Sequence, residues 1–213
     1  MVSLSTRPQD SQRVVLQNIS WHTYQALLSD LGDRRSCRLA YECGVLEITM
    51  PSELHEFLKH LLERIVIALT EELDLKIRGI GSVTLEREDL EQGIELDAGF
   101  YIQNASQVRG REINLSDGPP PDLIVEVDIT SSSSQRFKIY RQLKVPEVWR
   151  CTEKTIQINV LQNDEYVTSE YSKVFPIVSA ATIWDFLEQG KTSDDDNAVI
   201  RSLRKWIRQQ KSN

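Results

Sequence analysis

The sequence predicts a domain of the mixed α/β (α+β) class, with one central β-sheet and a few helices. Several short segments alternate apolar and polar residues, which is the period of a half-buried strand. Longer segments repeat apolar residues at the spacing of an amphipathic helix. The chain has 213 residues, of which 40% are hydrophobic and 27% charged. This composition is typical of a globular protein, and the length suits one sizeable domain.

The first elements are a short strand, a helix and a hairpin. Residues 14–16 are apolar and predict the strand. Ser20 is a suitable N-cap for a helix that continues to about Leu31. The run RLAYECGVLEITM predicts two strands joined by a turn at residues 42–44.

The clearest helix in the sequence covers about residues 53–73 and can be capped by Ser52. Its apolar residues recur at helical spacing: Leu54, Phe57, Leu58, Leu61, Leu62, Ile65, Val66 and Leu69. Short strands are predicted next, near residues 76–78 and 82–85. The segment ELDAGFYI, residues 95–102, alternates as a single strand. Its apolar residues Leu96, Ala98, Phe100 and Ile102 would face one way, with Glu95, Asp97 and Tyr101 on the other side.

A polar loop over residues 103–121 ends in three prolines, so the next strand begins after them, at residues 122–129. TSSSS then predicts a turn and a helix cap, and residues 135–143 predict a helix. VPEVWRC begins a further strand, and TIQINVLQ and EYVTSEYS predict a hairpin with Asn163-Asp164 in its turn. A short helix around Trp184 and a final amphipathic helix follow. In the final helix, Val199, Ile200, Leu203, Trp206 and Ile207 would face inward.

This organisation predicts one main domain over residues 1–190. An acidic linker and the C-terminal helix would make up residues 191–213. The three cysteines form no CxxC pair, which argues against a disulfide framework and a cysteine zinc site. No apolar run is long enough for a membrane helix, and the N-terminus lacks the pattern of a signal peptide. We therefore expect a cytoplasmic protein without a membrane partner.

The net charge is −7 and the pI is about 5.1. This charge is unfavourable for tight electrostatic binding to nucleic acid. It does not exclude a nuclease, because bound divalent cations add local positive charge.

Two acids interrupt the apolar strand at residues 122–129. Alternation places Glu126 and Asp128 with Ile124 on one face, and Asp97 lies on the polar side of another predicted strand. If the two strands are neighbours, these acids converge, and carboxylates are the oxygen ligands that Mg²⁺ or Mn²⁺ prefers. The alternative is that the acids simply face solvent on a half-exposed sheet.

Several blocks of the chain resemble the Uma-two type restriction endonucleases, a branch of the PD-(D/E)XK nuclease superfamily. The first block is PDLIVEVDIT, followed by a basic residue, a Tyr and VPEVWR. The other two blocks are IRGIGSVTLEREDLEQGIELDAGFYIQN and GVLEITMPSELHEFLKHLLERIVIALTEEL. The resemblance is strongest over residues 35–155, where the blocks occur in the family's order. It implies a restriction-endonuclease-like core, in which a central mixed β-sheet is flanked by helices, and a DNA endonuclease that uses Mg²⁺ or Mn²⁺.

The resemblance also implies a set of site residues. Asp97, in ELD where the family has PD, and Glu126 would hold the metal. Asp128 falls where the superfamily usually has Lys, and the matching basic residue here is Arg136, with Lys138 beside it.

An acid near the start of the long helix often completes such sites, and Glu56 or Glu53 would supply it. Nucleases of this fold often dimerise, so a homodimer is a further expectation.

Other patterns favour simpler interpretations. His55, Glu56 and His60 do not have HExxH spacing, so a zinc protease is not expected, and His55 reads as a polar residue at a helix start. Basic residues of the last helix could contact DNA or form a solvated face.

Two hypotheses remain: a Mg²⁺-dependent phosphodiesterase that cuts DNA, and a nuclease-fold protein that binds partners without catalysis. The missing Lys favours the second hypothesis, and the Asp97–Glu126 pair favours the first.

Overall fold

The computed structural model describes residues 12–32, 36–108, 110, 118–129 and 134–211. In these ranges the chain forms two β-sheets and five α-helices. The predicted class is confirmed, but the prediction of a single central sheet is wrong, because the chain crosses between two separate sheets after β6. The strands are β1 Gln12–Leu16, β2 Arg38–Glu42, β3 Val45–Met50, β4 Arg78–Gly81, β5 Thr84–Arg87, β6 Gln92–Glu95, β7 Ala98–Tyr101, β8 Leu123–Asp128, β9 Glu147–Thr152, β10 Ile156–Gln162 and β11 Glu165–Ser169. The helices are α1 Trp21–Leu31, α2 Glu53–Glu72, α3 Ser134–Gln142, α4 Ala180–Thr192 and α5 Asp196–Lys211.

The first sheet has five antiparallel strands in the order β1-β3-β2-β6-β5. Its β2–β3 hairpin turns at Cys43-Gly44, as the sequence predicts. Helix α1 starts at the predicted cap, where the Ser20 hydroxyl accepts a hydrogen bond from the Thr23 amide. Tyr24 of α1 packs against the sheet residues Leu39, Tyr41 and Leu46.

The second sheet has six strands in the order β11-β10-β9-β8-β7-β4. It is the predicted mixed sheet, because β8 and β9 are parallel and the other neighbours are antiparallel. A parallel pair needs a crossover connection, and α3 is part of the segment that supplies it. The predicted β10–β11 hairpin is confirmed, with Asn163 and Asp164 at positive φ in its turn.

The two faces of the six-stranded sheet are covered differently. Helices α2, α4 and α5 pack on one face and form the largest apolar core with Val125, Val127 and Trp149. Helix α3 and residues from the five-stranded sheet pack on the other face, around Ile124 and Tyr140. Glu126 and Asp128 lie on the same side as Ile124, so the predicted alternation along β8 is confirmed. Both acids are buried within the fold, which rules out the alternative of solvent-facing acids.

The prediction of one strand over residues 95–102 is wrong. β6 ends at Glu95 in the five-stranded sheet, and β7 begins at Ala98 in the six-stranded sheet. The chain changes sheet at residues 96–97, which breaks the alternation. Leu96 therefore packs in the α3-side core, whereas Ala98 and Phe100 pack in the core under α2. This crossing leaves Asp97 between the two sheets.

The C-terminal region departs from the predicted boundaries. Lys191 and Thr192 are the last residues of α4, so residues 193–195 alone separate it from α5. The inward residues predicted for α5 are confirmed, with Trp206 partly buried. Its basic face contacts protein acids: Arg204 and Arg208 pair with Glu72. The domain division at residue 190 stays a prediction.

Smaller differences concern the short strands and the loops. β4 and β5 begin about two residues after their predicted positions. Residues 130–133 of the predicted TSSSS turn lie outside the described residues, as does much of the loop before β8, and Ser134 is the first residue of α3. None of the helices in the described ranges is both long and apolar enough to cross a membrane.

Candidate active site

Asp97 and Glu126 come together because β7 and β8 are antiparallel neighbours. Ala98 is opposite Val125 in their register, so the next residues outward, Asp97 and Glu126, lie side by side. The amide of Val127 donates a hydrogen bond of 2.8 Å to Oδ2 of Asp97, which ties the crossing segment to β8. The predicted convergence of these two acids is thus present in the fold.

Asp97 is buried, with 3% of its side chain exposed. Its Oδ2 also contacts Nε2 of His55 at 3.1 Å, and its Oδ1 lies 2.9 Å from Nε of Arg38. Burial opposes ionisation, but the hydrogen bond and charge of His55, with the charges of Arg136 and Arg38, lower the pKa of Asp97 to about 2. Asp97 is therefore a carboxylate at neutral pH. Burial lowers the pKa of His55, but its contact with Asp97 outweighs this and leaves that pKa raised.

Glu126 is held from helix α3. Nε of Arg136 lies 2.9 Å from Oε2, and Nη2 of Arg136 lies 3.1 Å from Oε1. The hydroxyl of Tyr140 donates to Oε1 as well. Burial and the nearby charge of Asp97 raise the pKa of Glu126 to about 7, against the opposing attraction of Arg136. The two acids of the pair therefore have pKa values on opposite sides of their ordinary range.

Arg136 makes a further hydrogen bond that holds its side chain in place. Its Nη2 also donates to the main-chain oxygen of Glu95 at 2.7 Å, so the side chain bridges β6 and β8. Its neighbour Lys138 is exposed on α3 and does not line the site cavity. The structure therefore brings Arg136 to the acid pair and leaves Lys138 outside.

Asp128, at the end of β8, lies at the cavity but faces a cation of its own. Nε of Arg150, on β9, lies 2.9 Å from Oδ2 of Asp128. Glu56 lies at the rim, with 51% of its side chain exposed, and contacts Arg38 at 3.2 Å. Glu53 is exposed at the start of α2. In the described ranges, no three acidic, His or Cys side chains are grouped so that they could hold an ion, and the expected three-acid cluster does not form.

Sequence reasoning missed three side chains that line the cavity: Arg38, Glu47 and His55. His55 precedes Leu58 and Leu62 by three and seven residues, so the helical period did place it on the buried face of α2. Arg38 and Glu47 carried no comparable signal. Glu47 is buried on β3 and pairs with Arg13 at 2.6 Å.

The cavity between these side chains measures about 20 Å³. A space of this size holds about one water molecule. Asp97, Glu126 and Asp128 contribute its acids, and Arg38 and Arg136 its cations.

The donor set fits a magnesium ion. Mg²⁺ is commonly held by one or two carboxylates and keeps several waters, so a pair of acids supplies enough ligands, and the cavity must widen to admit the ion with its waters. Oδ1 of Asp97 is buried and receives no hydrogen bond from any residue in the described ranges. A carboxylate has about four acceptor positions, and the contacts of Arg136 and Tyr140 with Glu126 use three of them. Each acid thus retains an oxygen able to face a cation.

A family model, Uma2, matches residues 21–185 and carries the description "Putative restriction endonuclease". It spans α1 to α4 and includes each of the cavity residues described above. No curated protein matches the chain.

Proposed function

The chain belongs to the Uma2 family, and on this basis we propose that it is a Mg²⁺-dependent DNA endonuclease of the PD-(D/E)XK type. One observation carries the proposal: Asp97 and Glu126 are buried side by side at the adjoining ends of β7 and β8. Burying two carboxylates is costly unless they are paired or bind a cation. Both acids are paired with arginines, and the two strongly shifted pKa values in one cavity are typical of a functional site.

Asp97, through Oδ1, and Glu126 would hold the metal. When bound, Mg²⁺ supplies a Lewis acid for the phosphoryl oxygen and lowers the pKa of a coordinated water. Asp128 would assist from the cavity wall, directly or through water. Mn²⁺ has the same ligand preferences and is an alternative ion.

The other residues would orient the two acids and stabilise charge on the phosphoryl group. His55 and the Val127 amide orient Asp97, and Tyr140 orients Glu126. Arg136 stays protonated at any working pH, because the charge of Glu126 raises its pKa further despite burial. It would therefore stabilise charge on the phosphoryl group and could not accept a proton from the attacking water. Lys138 is too exposed on α3 to share this role without moving.

A second candidate function is a nuclease-fold protein that binds DNA or protein without cutting it. The observation that favours it is the pairing of the three cavity acids Asp97, Glu126 and Asp128 with Arg38, Arg136 and Arg150. The superfamily's Lys is also replaced here by Asp128. A site whose acids are already neutralised could be a stable relic of a metal centre.

Calorimetric titration with Mg²⁺ and Mn²⁺, together with plasmid cleavage in the same buffers, tests both candidates. Wild type is compared with Glu126→Ala and with Glu126→Gln, which keeps a hydrogen-bonding group near Arg136. Metal binding and cleavage that are both lost in the variants support the endonuclease. Metal binding without cleavage supports the second candidate. Absence of metal binding at millimolar concentration contradicts the metal site, and circular dichroism verifies that each variant is folded.

A further inference from the structure

The two oxygens of Asp97 have different surroundings. Oδ2 is held by the chain itself, through the Val127 amide at 2.8 Å and His55 at 3.1 Å. Oδ1 receives no hydrogen bond within the described part of the chain, although Nε of Arg38 lies 2.9 Å away. One oxygen is therefore anchored, and the other is neutralised by charge without an aligned hydrogen bond.

Arg38 has other partners available beside Asp97. Its Nη2 donates to Glu56 at 3.2 Å, and its Nη1 lies 3.7 Å from Glu95. Glu56 is half exposed at the rim, so it offers the guanidinium a position nearer to solvent. Moving Arg38 away from Asp97 would thus leave it paired with two acids rather than with none.

Arg136 differs from Arg38 in its acid partners, because Glu126 is the one acid with which it pairs among the described residues. Both arginines also donate to the main chain, Arg38 to Leu96 at 3.5 Å and Arg136 to Glu95 at 2.7 Å. Their side chains are similarly buried, with 11% of Arg38 and 7% of Arg136 exposed, but only Arg38 has a partner acid at the rim. Displacing Arg136 would break its hydrogen bonds to Glu126 and to the main chain of Glu95 and would leave it no other acid partner in the described ranges.

We propose that Arg38 is a displaceable internal counter-ion of Asp97. In the resting protein it neutralises Oδ1, the oxygen that would face the metal. A divalent cation competes with it for this oxygen, and Arg38 is then retained by Glu56 and Glu95. The inference rests on the proposed function, because it assumes that the metal binds at Asp97 and Glu126. Arg38, together with the two acids, then sets the affinity of the site for the metal.

The physical basis is competition between charges. A divalent ion carries twice the charge of a guanidinium and prefers carboxylate oxygen. A cation beside the buried Asp97 offsets part of the cost of its charge, and Arg38 occupies the place beside Oδ1 that the metal would take. Binding of the metal and retention of Arg38 at Asp97 therefore oppose each other, and their coupling is reciprocal.

The test is a calorimetric titration of metal-free protein with Mn²⁺, without DNA. Arg38→Gln is expected to bind Mn²⁺ about tenfold more tightly than wild type, within the usual range for coupled sites. Arg13→Gln is the matched control, since Arg13 neutralises Glu47 at the same cavity but is not a partner of Asp97. Its affinity is expected to match that of wild type. A similar gain in both variants would show a general charge effect and overturn the inference.

Failure of this inference is distinguishable from failure of the proposed function. If wild type binds Mn²⁺ and Arg38→Gln binds equally or more weakly, Arg38 is not a competitor and the metal site stands. If neither protein binds, the metal site itself is overturned, and the inference with it.

A second measurement covers the case in which Arg38→Gln does not fold without metal. Removing one partner of a buried pair is strongly destabilising, so this outcome is realistic. Thermal unfolding should then show a cooperative transition of the variant in the presence of Mn²⁺ and none in its absence. Arg38→Lys keeps the charge as a compact ammonium, and its affinity for Mn²⁺ should lie between those of wild type and Arg38→Gln. No restoration by Mn²⁺, together with wild-type affinity in Arg38→Lys, would contradict the inference.

Discussion

The side chains around the cavity explain how three acids can be buried in its wall. Asp97, Glu126 and Asp128 each face an arginine from a different strand or helix. Such pairs are seldom a net gain in stability, because removing two charges from water costs about as much as their attraction returns. Their retention here is more readily explained by function than by stability.

Glu126 should make the stability of the metal-free protein depend on pH. Its pKa is raised to about 7 in the fold, from about 4.5 in the unfolded chain. Between pH 4.5 and pH 7, Glu126 is therefore protonated in the folded state and ionised in the unfolded chain. The stability from this proton is therefore fully present below about pH 4.5 and is lost as pH rises through 7. Urea unfolding of wild type should give a lower free energy at pH 8 than at pH 5, by about 1.4 kcal/mol for every pH unit between the two pKa values.

Glu126→Gln provides the comparison, because glutamine does not titrate. The decrease in unfolding free energy between pH 5 and pH 8 should be smaller in this variant than in wild type. Equal decreases in the two proteins would show that Glu126 titrates normally.

His55 is predicted to act on metal affinity through Asp97. Its ring holds Oδ2, so His55→Ala should let the carboxylate rotate and should weaken Mn²⁺ binding about 10–100-fold, as loss of a ligand-orienting group commonly does. His60→Ala is the matched control, since His60 is exposed on the same helix. Calorimetry on the two variants checks the prediction. Equal affinities would leave His55 with a packing role only.

Among the strands and helices, the crossing between the two sheets has the largest effect on the site. β6 and β7 belong to different sheets, and residues 96–97 connect them across the site. Helix α3 approaches from the same side and supplies Arg136 and Tyr140 to β8. The site therefore depends on how the five-stranded sheet, the six-stranded sheet and α3 fit together.

A substitution at Gly93 tests how closely α1 packs on the five-stranded sheet. A Cβ at this position would overlap the Tyr24 hydroxyl and would lie 2.7 Å from Cζ of that ring. Tyr24 is fully buried and stacks on Tyr41, so it has little room to move. Gly93→Ala is expected to destabilise the fold by about 1–3 kcal/mol, as overpacking commonly does. Urea unfolding measures this change.

Gly79→Ala is the control for a glycine in a strand, because among the described residues its added Cβ would meet only Phe100, at 3.7 Å. This variant should unfold close to wild type. A Gly93→Ala protein as stable as Gly79→Ala would show that Tyr24 can shift without cost.

For the molecule as a whole, α5 is part of the main core. Val199, Ile200, Leu203 and Ile207 are buried in the same cluster as α2. Each buried aliphatic side chain contributes about 1.5–3 kcal/mol. Four of them together are comparable with the free energy of unfolding of a typical domain, about 5–15 kcal/mol.

Removal of residues 194–213 is therefore expected to abolish cooperative unfolding, as followed by circular dichroism during heating. A variant that lacks residues 212–213 keeps all of α5 and should unfold like the full chain. A shortened protein that still unfolds cooperatively near the wild-type Tm would instead support a domain that ends near residue 190.

Local patterns in the sequence were sufficient to predict most of the elements and the faces that they bury. The period of α2, the alternation along β8 and the turn residues of the hairpins involve neighbouring residues, so they could be read without knowledge of the fold. The acids Glu126 and Asp97 were found because carboxylates in apolar segments are conspicuous. The family resemblance then linked them to Arg136.

The contacts between distant side chains required the three-dimensional fold. Arg38 is 59 residues before Asp97, and nothing near it in the sequence indicates that partner. Their contact exists because β2 pairs with β6 just before the chain crosses to β7. The same crossing broke the alternation expected over residues 95–102. Strand pairing over such separations depends on the packing of the whole chain, so the pairs of charges that fill this site could not be predicted from local pattern.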